Sequence, residues 1–196
     1  CPNRLFVHRS LAADFVDELT KRVGALRPGN GLADGVAVGP LIDADALAKM
    51  ERQVADARAK GAAVLVGGER LAGADYDAGW FYAPTVLGEV TPEMVIYREE
   101  TFGPIAPVIV FDDDDEVIEM ANDTTYGLAA YVYTRDLGRA LRAVEALDFG
   151  IVGVNDINPT SAAVPFGGVK ESGIGREGSR EGIGEYLDTK VAGIAI

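Results

Sequence analysis

A chain of 196 residues, 48% hydrophobic and 25% charged, suffices for one sizeable domain with a small appendage and is too apolar for disorder. Its net charge of −13 disfavours non-specific binding to nucleic acid or to an anionic membrane. One cysteine excludes an intrachain disulfide and fits a reducing, cytoplasmic setting, one histidine, His8, excludes a multi-histidine metal site, and no apolar run is long enough to span a bilayer.

Leu5-Phe6-Val7 reads as a short strand. Ser10 is placed to cap the next helix by accepting a hydrogen bond from a free backbone N–H. There Leu11, Phe15, Leu19, Val23 and Leu26 recur at three- and four-residue steps and share one face, and Pro28-Gly29-Asn30-Gly31 ends the helix. A second helix carries Leu47, Met50, Val54 and Ala57 and stops near Gly61. Ala63-Val64-Leu65-Val66 is a buried strand closed by Gly67-Gly68, and residues 81–87 and 105–111 read as two more. The acidic run Asp112 to Asp115 suits a solvated helix N-terminus, where carboxylates meet the positive end of the dipole. Residues 128–133 and 151–154 flank a helix on which Leu137, Leu141, Val144 and Leu147 share a face. A last helix is predicted over 176–186, and a last strand over Lys190 to Ile196. Strands alternating with helices predict an α/β fold with a mainly parallel sheet.

Two segments carry chemistry. In Glu99-Glu100-Thr101-Phe102-Gly103-Pro104, a carboxylate beside a Phe-Gly-Pro turn can accept two hydrogen bonds from a ribose diol while the ring packs on a flat cofactor. By spacing alone, a plain turn with a surface glutamate pair is the stronger reading. The other segment is Pro165-Phe166-Gly167-Gly168-Val169-Lys170-Glu171-Ser172-Gly173, followed by Ile174-Gly175-Arg176-Glu177. Negative charge at Glu177 would suit the start of the next helix. Lys170 reads as a loop anchor, and Asn122 and Asn155 as turn residues.

Together these segments resemble two signatures of the catalytic domain of aldehyde dehydrogenases. Thr124-Thr125-Tyr126-Gly127-Leu128-Ala129-Ala130 and Gly39-Pro40-Leu41-Ile42 are similar to further parts of that family. The likeness covers essentially the whole chain and is nearest to the succinate-semialdehyde branch. It implies a mainly parallel sheet flanked by helices, with residues 1–186 the C-terminal part of a catalytic domain. Residues 187–196 would be an oligomerisation strand joining a homodimer or homotetramer.

The resemblance further implies NAD- or NADP-dependent oxidation of a small-molecule aldehyde, with succinate semialdehyde the expected substrate. Attack by a cysteine, hydride transfer to the nicotinamide and hydrolysis of the thioester would complete it. Glu100 would hold the nicotinamide ribose, Phe102 would pack near the nicotinamide, and Leu128 would approach it from the substrate side. Phe166 would line the substrate pocket, and Thr160, with Ser161 beside it, would hold the substrate's carboxylate. Glu177 would relay protons to the catalytic base through water, which is compatible with a helix-capping role. A lone cysteine invites the role of nucleophile, but the family spacing places that residue two positions before residue 1. Cys1 is therefore read first as the match to a second cysteine that in some members forms a disulfide with the nucleophile, with the nucleophile itself the less favoured alternative. On this reading the chain alone is inactive; the alternative is a non-catalytic scaffold of the same fold. Neither metal nor nucleic acid is expected.

Overall fold

Strand β1 (Leu5–His8) runs without a loop into helix α1 (Arg9–Gly24). A computed structural model describes residues 2–196, so Cys1 lies outside the described residues. After α1 come α2 (Ala44–Ala59), β2 (Ala63–Val66), β3 (Thr85–Gly88), α3 (Val95–Arg98), β4 (Ile105–Phe111) and α4 (Asp114–Asn122). Then follow β5 (Tyr126–Gly127), β6 (Ala129–Val132), α5 (Leu137–Ala146), β7 (Ile151–Val154), β8 (Val169–Lys170) and α6 (Glu181–Gly184). The chain forms two compact units, one ending at Val117 and one running Ile118–Ile196.

In the first unit four strands lie in the order β1-β4-β3-β2. β4 is parallel to both neighbours, with Leu5 opposite Val108 and Val86 opposite Ala106, and β2 joins antiparallel at the edge. Strand alternation puts Val7, Val86 and Val108 on one face, where Ala12, Val16, Leu19 and Val23 of α1 cover them. Full burial of each such side chain is worth about 1.5–3 kcal/mol. On the other face the Phe6 ring meets Tyr97 of α3 edge-on at 6.3 Å. Tyr82, entering β3, is buried, and that burial pushes its phenol up to about 12.

Several expected elements hold. On α2, Leu47, Met50, Val54 and Ala57 are all buried, and Asp43 caps the helix by accepting from Ala46 N at 2.8 Å. The acidic run does open α4: Asp113 Oδ1 accepts from the N–H groups of Asp115 and Glu116.

Others differ. The cap of α1 is His8, not Ser10, because no loop separates strand from helix and the last strand residue must supply the acceptor. His8 Nδ1 accepts from Ser10 N at 3.2 Å, which leaves Nε2 to donate to Asp112 O at 3.2 Å. Leu11, Phe15 and Leu26 are exposed: the sheet takes Leu19 and Val23 of the expected face, but Ala12 and Val16, one residue along, in place of Leu11 and Phe15. The strand expected over 81–87 shortens to Thr85–Gly88, with single bridges at Trp80 and Tyr82 before it.

In the second unit β6, α5 and β7 form a βαβ unit with parallel strands, Ala129 opposite Ile151. β5 and β8 pair antiparallel. Here α5 turns Ala140 and Ala143 inward and leaves Leu137, Leu141 and Val144 exposed, the reverse of what their spacing suggests. Two asparagines brace the unit. Asn122 donates to Ala146 O and accepts from Asp148 N, while Asn155 does the same to both groups of Thr134.

The helix expected over 176–186 is only Glu181–Gly184, because Gly178 and Ser179 adopt positive φ of 67° and 53° and break it. Among the described residues, Lys190 to Ile196 pair with no strand, and Val191, Ile194 and Ile196 stand exposed; a strand there needs a ladder partner from outside the chain.

Candidate functional site

The residues singled out by sequence fall into two groups, one in each unit. In the first unit the segment 99–104 leads into β4, and parallel pairing with β1 brings the residues preceding both strands together. Asn3 thereby reaches the segment: its Nδ2 donates to Glu99 O at 3.2 Å, and its Oδ1 accepts from Thr101 N at 2.7 Å. Lys49 of α2 donates to Glu100 O at 3.3 Å. Arg52 grips the Glu99 carboxylate from the same helix, at 2.5 Å from Nη2 to Oε2. That guanidinium holds the Glu99 carboxyl below the usual range, and the buried Gln53 amide adds to the effect although it makes no hydrogen bond of good geometry. Gly103 lies against α2 so closely that a Cβ there would sit 2.2 Å from Met50 Sδ.

The backbone around Glu100 is thus tied at Glu99 O, Glu100 O and Thr101 N. Its carboxylate is different: exposed, and with no side-chain partner among the described residues. Phe102 is 79% exposed and holds φ at 50°, a region that bulky side chains seldom enter. An apolar ring held out in water beside an unengaged carboxylate fits a ligand that offers a flat ring and a diol. The paired Glu99 is already committed to Arg52.

The second unit gathers the other group in part. Phe166 and Glu177 are joined by two backbone hydrogen bonds, Phe166 N to Glu177 O at 2.8 Å and Glu177 N to Phe166 O at 2.7 Å. Ser179 N donates to Ala162 O, so the loop through Ser161 lies along the one through Glu177. The two glycines after Phe166 allow tight layering: a Cβ on Gly167 would lie 2.5 Å from Gly175 O. Arg176 Nη1 donates to Gly168 O at 2.7 Å and Gly175 O at 2.8 Å, which locks the layers. Glu177 is exposed and does not cap α6, whose N-cap is Arg180.

Thr160 is exposed and its hydroxyl donates to Asn158 Oδ1 at 2.9 Å, while Ser161 Oγ accepts from Ala163 N at 3.3 Å. Leu128 is partly exposed between β5 and β6. Lys170 does anchor its loop, donating to Asn122 O at 3.1 Å with its ammonium over the Phe149 ring.

Sequence reasoning missed Asn3, Lys49 and Arg52. Nothing local marks them, because their partners lie 98, 51 and 47 residues away. The one usable signal was the parallel pairing implied by alternating strands and helices. Among the described residues no group of three His, Cys, Asp or Glu is placed to hold a metal, and no helix is long and apolar enough to cross a membrane.

A 3-sulfolactaldehyde dehydrogenase of Pseudomonas putida is 48% identical over 190 residues, covering 97% of this chain and 38% of its own length. A probable NADP(+) succinate-semialdehyde dehydrogenase of Sinorhizobium fredii is 50% identical over 188 residues, covering 96% of this chain and 38% of its own length. The crystal structure of succinate-semialdehyde dehydrogenase from Burkholderia pseudomallei superposes with a TM-score of 0.89 at 47% identity, over 95% of this chain and 38% of that one. The chain therefore spans a little over a third of the length of the relatives it matches. Residues 1–192 match the sequence profile described as the aldehyde dehydrogenase family, and with these identities the chain belongs to that family.

Proposed function

We propose that this chain is part of an NAD- or NADP-dependent aldehyde dehydrogenase acting on aldehydes that carry an anionic group at the far end, succinate semialdehyde first among them. The observation that carries the reading is the arrangement at Glu100 and Phe102, with backbone tied on every side while carboxylate and ring stay free. The cofactor, when bound, accepts a hydride from the aldehyde carbon. Glu100 accepts hydrogen bonds from the nicotinamide ribose and so orients the reactive ring, and Phe102 packs beside that ring. Phe166 and Leu128 supply apolar surface for the substrate chain. Thr160 and Ser161 supply hydroxyls for its anionic end, and Glu177 passes a proton through water.

The names of the relatives support the substrate class. A sulfonate in one and a carboxylate in the other each stand at the end away from the aldehyde. The cofactor has the same support: one relative is named for NADP(+), and one structure of the family holds NAD+. Assembly through residues 187–196 belongs to the same proposal, with the exposed Val191, Ile194 and Ile196 finding strand partners in a second subunit.

The test compares Glu100→Gln with Glu99→Gln in the complete enzyme. Amide for carboxylate keeps the size and weakens a charge-assisted hydrogen bond. Single-turnover hydride transfer should slow about tenfold or more for Glu100→Gln and change little for Glu99→Gln. Equal effects at the two positions, or none at Glu100, would sink the cofactor role.

A further inference from the structure

We propose that Asn3 is the positioning residue for Glu100, an inference that rests on the cofactor role just given to that carboxylate. Asn3 makes two hydrogen bonds of opposite sense, one to the peptide before Glu100 and one to the peptide after it. A residue in a neighbouring strand would bond the same way, donating to one carbonyl and accepting from the N–H two residues on. Only one orientation of the amide satisfies both partners, so the bracket fixes the side chain as well as the loop. The bracket is also stiff at its base. Asn3 immediately precedes Arg4 and β1, and the segment it holds immediately precedes β4, so both ends hang from one parallel strand pair.

The side-chain type follows from these bonds. Aspartate at position 3 would keep the acceptor for Thr101 N and turn an oxygen toward Glu99 O, where a donor is needed. Glutamine would displace the amide by one methylene. Serine has a single rotor and cannot donate to one peptide while accepting from the other at the same span. With the bracket gone, the backbone of Glu100 keeps its hydrogen bond from Lys49 as its tie among the described residues. The carboxylate then wanders relative to the ribose it orients, and hydride transfer suffers because misplacement by about 1 Å costs up to about a hundredfold.

The experiment uses the complete enzyme with Asn3→Asp, Glu100→Gln and the double variant. Amide hydrogen exchange at Thr101 is followed without cofactor. Single-turnover hydride transfer is followed with succinate semialdehyde carrying hydrogen or deuterium on its aldehyde carbon. Binding of AMP, which lacks the nicotinamide ribose, reports on the rest of the cofactor site. Asn3→Asp should speed Thr101 exchange about tenfold or more and slow hydride transfer about tenfold to a hundredfold with a larger isotope effect, while AMP binds as before. In the Glu100→Gln background the same change should add little, because both act through one carboxylate.

Full multiplication of the two effects, or a wild-type hydride rate in Asn3→Asp beside a slowed Glu100→Gln, overturns the role of Asn3 alone. A wild-type rate in Glu100→Gln overturns the cofactor reading instead, and the Asn3 inference with it. Asn3→Ser serves the same cycle should Asn3→Asp melt below the assay temperature.

Discussion

At the scale of single residues, the candidate site sorts its polar groups by whether they are already engaged. Glu99 is spent on Arg52, whereas the carboxylate of Glu100 has no partner among the described residues. Thr160 falls between the two, since its one proton goes to Asn158 Oδ1. To hold a substrate carboxylate that proton must swing away, so the net gain is less than the about 1.5–3 kcal/mol of a fresh bond to a charged group. Thr160→Val keeps the shape and removes the hydroxyl. In the complete enzyme, kcat/KM for succinate semialdehyde should fall about fivefold to tenfold, with little change for an uncharged aldehyde of similar length. A loss shared by both substrates would mean that Thr160 only packs its loop.

The Glu-Glu-Thr-Phe-Gly-Pro segment was legible as a turn from its residue types, while the chemistry assigned to it came from the family resemblance. Which glutamate is free was not legible from spacing, since that depends on Arg52 arriving from α2.

At the scale of elements, the sequence is most readable where a helix meets its own unit's core. The period of Leu47, Met50, Val54 and Ala57 marks the buried side of α2 without ambiguity. It misleads on α5, where Leu137, Leu141 and Val144 form a stripe that nothing in the described residues covers and the small Ala140 and Ala143 face inward. Periodicity reports that a face exists; what covers it is set by other parts of a structure. The tail shows the same limit, because apolar residues at 190–196 suit a strand and a strand requires a neighbour.

One contact between elements bears directly on how α3 and the segment after it are held. Asp56 on α2 accepts from Val95 N at 2.7 Å, satisfying the open N-terminus of α3, and pairs with Lys60 at 2.7 Å. Lys60 first, and the Val95 N–H next, hold the Asp56 carboxyl below its ordinary value of 3.8. A depressed native value means that the stabilisation is complete above the ordinary value and is lost as pH falls through the native one. Asp56→Asn keeps an oxygen for Val95 N and removes the charge, so it should cost about 0.2–1 kcal/mol near neutral pH, the range for an accessible ion pair. The gap between variant and parent should close in acid below the native value. Urea unfolding across that range checks it, and a gap that persisted unchanged in acid would show that the charge is not what matters.

At the scale of the whole chain, the family match sets an expectation that no single residue could. The 196 residues span a little over a third of their relatives' length. Hydride transfer needs nucleophile, cofactor and substrate aligned together, and proximity accounts for much of the rate. The chain by itself, mixed with succinate semialdehyde and NAD or NADP, should yield no reduced cofactor above the protein-free control. Turnover abolished by Cys1→Ser would make Cys1 the nucleophile, and turnover that survived the change would refute the proposed mechanism. No turnover, from a chain that still folds and associates, is what a scaffold of the same fold would also give, so the complete enzyme remains the arbiter of function.

The order β1-β4-β3-β2 has a further consequence, for the birth of the chain rather than its working life. Leu5 pairs with Val108, so β1 leaves the ribosome about a hundred residues ahead of the strand it needs, a wait on the order of 5–20 s at ordinary rates of synthesis. β2 and β3 can pair meanwhile, yet β3 keeps one edge open toward the same empty slot, and the core cluster of Val7, Val86 and Val108 lacks its central member. Insertion of β4 closes both edges and completes the cluster in a single late event. A translating ribosome paused before Ile105 holds a chain with two unpaired strand edges, the state in which a neighbouring nascent copy could donate its own β4 and leave the pair entangled.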